Sequence, residues 1–155
     1  MAARGQKARR DVLRLRRSLA RAELVLADLD RQLLAPEQLC ASDLGILERL
    51  TRKGTCPVNG LGSRVGLTSG SMTVAVQRLR RRGLVETSRD PKDKRVVLVS
   101  VTDAGKELAK RLSNRRAELL DEVCSVWSNR ERSVLVNLLK RLKRKAVADA
   151  TGGDS

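Results

Sequence analysis

Thr68, Ser69, Gly70, Ser71 and Thr73 are small or polar, stand at the start of a segment with helical periodicity, and are followed one turn later by Gln77. Groups of this kind at a helix N-terminus let the backbone come deep into the major groove of a duplex, where hydroxyls meet base edges and a glutamine amide can pair with adenine through two hydrogen bonds. The same residues would also serve as helix caps and nothing more. Further on, Arg89, Lys92, Lys94 and Arg95 surround a turn in which Pro91 fixes φ and Asp90 and Asp93 can bond the local backbone. Other chemistry is poorly provided for. The chain has no His, Tyr or Phe, so it lacks the usual general base near neutral pH, the commonest metal ligand and the rings on which single-strand readers stack bases. No catalytic residue, metal site or cofactor is expected. Cys40, Cys56 and Cys124 are odd in number and far apart, which reads as a reducing compartment and as packed or inert thiols, with Cys56 the most exposed.

Such side chains need elements to hold them. From Arg9 to Leu34 the apolar positions Val12, Leu15, Leu19, Ala22, Leu26, Leu29 and Leu33 alternate by three and four, a heptad seam on a long helix. That helix packs either on its own domain or against a second copy of the chain. Pro36 ends it, and Ser42 is placed to cap a second helix through Leu44, Leu47 and Leu50 to Gly54. A short third helix is predicted from Val58 to Val65, closed by Gly66. Thr68 or Ser69 caps a fourth, with Met72, Val76 and Leu79 inside and a stop at Gly83 after Arg80, Arg81 and Arg82. Cations there also suit the helix dipole. Leu84 to Arg89 and Arg95 to Val101 read as the strands of a hairpin with a charged tip. Thr102-Asp103 starts a long helix carrying Leu108, Leu112, Leu119 and Val123, and Ser128 with Glu131 forms a capping box opening a last helix through Val134, Leu138 and Leu142. Helix, helix, helix and hairpin, with a glycine-containing turn before the last helix, make a helix-turn-helix followed by a wing.

Composition agrees with a polyanionic partner. Among 155 residues, 33 Lys and Arg stand against 18 Asp and Glu, a net charge of +15, while 41% hydrophobic residues provide for one core. No apolar run is long enough to span a membrane, and a membrane-surface role lacks aromatic anchors.

The stretches LTSGSMTVAVQRLRRRGLVE (67–86) and RDPKDKRVVLVSVTDAGKEL (89–108) resemble the MarR family of winged-helix transcriptional regulators, over Leu39 to Leu142 and more loosely into the first helix. The wing pattern running into Thr102-Asp103-Ala104-Gly105 is the specific part. The resemblance implies a recognition helix from Thr68 to Arg82, which adds Arg78 to the readers. It implies a wing whose Arg89, Lys92, Lys94 and Arg95 approach the minor groove. It also implies a homodimer interlocked through the first and last two helices, with Val12, Leu15, Leu19, Leu26, Leu29, Leu138 and Leu142 at the interface, and a small-molecule effector. The chain departs from the family at Val74, at Gln77 where an Asp usually braces a wing Arg, and at Lys94 where Arg is usual. Its SGSMT run is like that of urate-responsive members, but the first helix has no Trp. It has no Cys there either, unlike the peroxide-sensing members.

The expected fold is therefore mainly α with a small β-hairpin wing. Residues 1–8 form a basic arm, 9–35 and 102–146 a helical dimerisation region, 36–101 the winged helix-turn-helix and 147–155 a flexible tail. The expected function is sequence-specific binding of double-stranded DNA as a homodimeric regulator, a repressor, on a pseudo-palindrome. The alternative is an architectural, nucleoid-type DNA-binding protein of slight sequence preference. The location expected is the cytoplasm, on the nucleoid. With Trp127 the only ring, a small aliphatic or anionic effector fits better than a stacked polycyclic one.

Overall fold

The leucine-rich seam and the absence of Gly or Pro between residues 6 and 35 predict one uninterrupted helix, and α1 runs Ala2–Leu34. It starts before Arg9, so the basic arm is helical from Ala2. The computed structural model describes residues 2–61 and 68–151. Pro36 cannot continue the ladder, and the chain tightens into a 3-10 turn, Ala35–Glu37, before Gln38 takes a left-handed conformation at φ 50°. α2 spans Ala41–Lys53 and is capped by Cys40 rather than Ser42, which lies inside the first turn. The reason is Asp43, three residues past Cys40, whose carboxylate accepts the Cys40 N–H at 3.0 Å and closes a box that Ser42 has no partner to form. Gly54, at φ 75°, ends α2 as expected.

The predicted third helix is corrected in its first half. Cys56–Pro57 forms a short strand, β1, followed by a 3-10 turn at Val58–Gly60. Pro57 is extended and Gly60 disfavours helix, while pairing with a later strand offers the backbone an alternative. The remainder of that segment, with Gly62, Val65 and Gly66, lies outside the described residues. Cys56 is consequently half-buried against the core, as Cys124 is half-buried, and Cys40 is the exposed thiol.

α3, Ser69–Arg81, is capped by Thr68 and released by Gly83 at φ 68°. β2, Val85–Arg89, and β3, Val97–Val101, pair antiparallel from Val85 opposite Val101 to Arg89 opposite Val97. β1 adds to the far side of β3, so the expected hairpin belongs to a three-stranded sheet of order β1-β3-β2. α4 is Asp103–Val123; a 3-10 turn, Cys124–Val126, leads to α5, Asn129–Thr151, which runs into the segment expected to be a tail.

The chain divides into two compact units, residues 1–116 and 117–155. The core of the first takes Leu44, Leu47 and Leu50 from α2, Met72, Val76 and Leu79 from α3, Val85 and Val99 from the sheet, and Leu108 and Leu112 from α4. These positions repeat at three or four in the helices, and each fully buried aliphatic side chain contributes roughly 1.5–3 kcal/mol. Burying this face of α3 leaves its opposite face outward. In the second unit Glu131 accepts the Ser128 N–H and hydroxyl at 2.8 and 2.7 Å, the capping box read from the sequence. Arg132 joins Asp121 at 2.6 Å.

Candidate nucleic-acid interface

Thr68 opens α3 by accepting the Ser71 N–H at 3.3 Å while its own hydroxyl donates to the Ser71 hydroxyl at 3.0 Å. The two are tied together at the helix entrance, and both are exposed. With Met72, Ala75, Val76 and Leu79 buried, the solvent face of α3 carries Gly70, Thr73, Val74, Gln77 and Arg81, with Ser71 and Arg78 along one flank and Arg80 along the other. Ser69 holds the first helical position. Val74 was not singled out as a reader in the sequence, yet it stands in the centre of this face, four residues after Gly70 and three before Gln77, and is 59% exposed. The helical period alone places it there.

Arg78 is committed differently from its neighbours. Its guanidinium donates to Asp43 at 2.6 Å, and Asp43 is the one buried charged residue among the described residues. The hydrogen bond to Asp43 holds the Arg78 pKa above its ordinary value, which keeps the guanidinium charged. Cys40 Sγ donates to the same carboxylate at 3.1 Å. A carboxylate at the first turn of α2 thus anchors the last turn of α3, a contact between residues 35 apart that periodicity could not show.

The wing is built by its aspartates. Asp90 accepts the Lys92 N–H at 2.8 Å and Asp93 the Arg95 N–H at 2.9 Å, two Asx turns back to back. Backbone bonds from Asp90 to the Val96 carbonyl and from Val96 to the Asp93 carbonyl close the loop. Pro91, Lys92, Asp93, Lys94 and Arg95 are exposed. Arg89 donates to the Lys94 carbonyl at 3.2 Å, bracing the wing from its own strand. On the facing helix Arg80 reaches Thr87 of β2 at 3.3 Å. Between α3 and the sheet lies a cleft of about 340 Å³ whose lining includes Thr73, Gln77, Arg80, Thr87 and Arg95. The structure therefore brings Thr73, Gln77 and Arg95 together, puts Lys92 and Lys94 at the tip, and turns Arg78 to Asp43.

The two ends of the TDAG run, Thr102 and Gly105, fix this arrangement from behind. Thr102 donates its hydroxyl to the Gly83 carbonyl at 2.7 Å, accepts the Gly105 N–H at 3.1 Å and gives its own N–H to the Leu84 carbonyl at 3.2 Å. A Cβ on Gly105 would lie 2.1 Å from that same carbonyl oxygen. The exit of α3 and the start of α4 are thus in direct backbone contact.

A capped helix with a polar outward face, set against α2 and followed by a basic wing, defines a winged helix-turn-helix DNA-binding protein. Comparison with known proteins agrees. A profile of the MarR family matches residues 40–97. The chain is 32% identical over 101 residues to the HTH-type transcriptional regulator MhqR of Bacillus subtilis (strain 168), spanning 65% of this chain and 70% of that one. Among solved structures it is similar to the PcaV transcriptional regulator of Streptomyces coelicolor in complex with its natural ligand, at a TM-score of 0.68 and 28% identity over 85% of this chain and 91% of that one. It shares its fold with a MarR family protein from Bacillus stearothermophilus, at a TM-score of 0.75 and 24% identity over 89% and 96% of the two chains. The chain belongs to the MarR family and is a DNA-binding transcriptional regulator. No described helix is long and apolar enough to cross a membrane.

Proposed function

We propose that the protein is a homodimeric repressor that reads a pseudo-palindromic site in double-stranded DNA with one α3 per half-site. The observation that carries this reading is the outward face of α3, where Thr68 caps the helix and Gly70, Thr73 and Gln77 are exposed with no bulky side chain at the entrance. Thr68, Ser69, Ser71 and Thr73 are small enough to let the helix end enter the major groove, Gln77 meets adenine, and the Val74 methyls suit a thymine methyl. Arg78 serves chiefly through Asp43, by holding α3 at its angle to α2. Lys92, Lys94 and Arg95 contact phosphates and the minor groove, with Arg89, Asp90, Pro91 and Asp93 shaping the wing. Residues 36–101 form the DNA-binding region and residues 9–35 with 102–146 the dimerisation region. The seam supports the second role: Val12, Leu15 and Leu26 on α1, and Leu138 and Leu142 on α5, are exposed in the single chain, while Leu19 and Leu29 are half-buried. A relative crystallised with its natural ligand supports a small-molecule effector here also, of small aliphatic or anionic character given one ring in the chain.

Selection of bound duplexes from a random library at physiological salt tests the reading, and a recovered palindrome is expected. Featureless recovery would instead favour the architectural protein that the net charge of +15 and Lys94 at the wing tip also suit. On the selected site Gln77→Ala should cost ~1–3 kcal/mol and leave random DNA almost unchanged. Lys94→Ala should weaken both together and lower the magnitude of the salt slope by about 1 for each wing engaged. Equal losses for Gln77→Ala on both DNAs would refute its assignment to base reading.

A further inference from the structure

The first half of α1 carries a stripe of cations that neither the core nor the seam explains. Lys7, Arg10, Arg14, Arg17 and Arg21 follow one another at three, four, three and four residues, so they lie in one row along the helix, about 130° around the axis from the seam. All five are exposed. Ion pairs are made by cations outside the row, Arg31, Arg78, Lys106, Arg111, Arg116 and Arg132 among them. Within the first 22 residues Asp11 is the one carboxylate, against eight Lys and Arg.

An ordinary solvated helix face interleaves charges so that each cation has an acid one turn away. Here Asp11 stands one turn from Lys7 and Arg14 alone, whereas Arg10, Arg17 and Arg21 have only cations or uncharged residues three and four positions away. The row repels itself along the helix, and a polyanion laid along it relieves that repulsion. The row spans 14 residues, about 21 Å at 1.5 Å per residue. Over that length one strand of a duplex presents about six phosphates. Four of the five cations are arginines, whose planar guanidinium binds phosphate through paired hydrogen bonds.

We propose that this row on α1 is a second DNA-contacting surface, separate from α3 and the wing, which binds backbone phosphates of duplex DNA without reading sequence. The inference rests on the DNA-binding reading above and adds to it a contact outside the winged helix. In the homodimer each chain supplies one row, so the phosphates engaged exceed those that α3 and the wing reach. Affinity and its salt dependence are then set largely by α1, and base choice by α3.

The test uses the full-length chain and a 40-base-pair duplex of random sequence, with affinity followed across salt concentration. Replacing Arg10, Arg14, Arg17 and Arg21 together by Gln keeps helix propensity while removing four charges. This variant should lower the magnitude of the salt slope by about 3 to 4 per chain and weaken random-duplex binding at least about tenfold near 100 mM salt. Replacing the same four by Lys keeps the charge and should keep most of the slope. On adding duplex, amides of residues 7–21 should gain protection from hydrogen exchange in the wild-type protein and not in the Gln variant. A Gln variant with the wild-type slope, or a Lys variant that loses as much as the Gln variant, would overturn the proposal while leaving α3 and the wing as the DNA contact. No binding of any duplex by the wild-type protein would overturn the DNA-binding reading itself, and this inference with it.

Discussion

Gly105 shows how one missing methyl group can set the position of a whole helix. Elsewhere on an exposed helix, Gly→Ala gains about 1 kcal/mol of propensity. At Gly105 the added Cβ would meet the Leu84 carbonyl oxygen at 2.1 Å and a Val101 methyl at 2.8 Å, and backbone cannot swing aside as a flexible side chain would. The clash wins, and Gly105→Ala should lower stability by about 3 kcal/mol, read as a reduced denaturation midpoint at unchanged m-value. A variant as stable as the wild type would refute the contact. The sequence flags this glycine only through its TDAG setting, because the first turn of a helix gives no local reason for it. Asp43 and Arg78 are similarly opaque: the sequence offers Arg78 as a DNA reader and gives Asp43 no role, whereas in the structure Asp43 is buried and Arg78 is its partner.

Elements whose ends are made by local chemistry were legible, and those made by distant pairing were not. The Thr68 cap, the Gly54 and Gly83 stops, the Asp-Pro-x-Asp wing and the Ser128–Glu131 box all depend on residues within four positions of one another. β1 depends on Val99 and Leu98, some forty residues away, and two residues beside a proline carry no periodicity from which to infer it. The α2 cap was misplaced by two because cysteine is not among the usual capping residues, while its partner Asp43 was in plain view. Capping boxes also titrate. Hydrogen bonds from the Ser128 hydroxyl and N–H hold the Glu131 carboxyl below its ordinary value of 4.5. A depressed folded-state pKa contributes stability that is present above the unfolded value and lost as pH falls through the folded one. The start of α5 should therefore stay capped through neutral and mildly acidic pH and fray only in stronger acid. A carboxyl titration of Glu131 by NMR at or above the ordinary glutamate value would contradict this.

At the scale of the molecule, apolar surface is unequally covered. Among the described leucines of the winged helix all but the half-buried Leu98 are buried, whereas Val12 on α1 is 64% exposed and Leu138 on α5 is 52% exposed. A chain with so many aliphatic side chains in water would associate, so Leu19→Asp and Leu29→Asp should convert a dimer at micromolar concentration into a monomer, as followed by sedimentation. A wild-type protein that sediments as a monomer would refute the assignment of the seam. The backbone knot behind the DNA-facing side has a consequence of its own. The Leu84 carbonyl takes the Thr102 N–H, Gly83 takes the Thr102 hydroxyl, and Gly105 rests against Leu84, so the last turn of α3 and the first of α4 cannot part without losing all three contacts together. Amides on both sides of the knot, those of Leu84, Thr102 and Gly105, should then exchange with solvent at one common rate, opening as a single unit, while the wing tip between them in the chain exchanges far sooner.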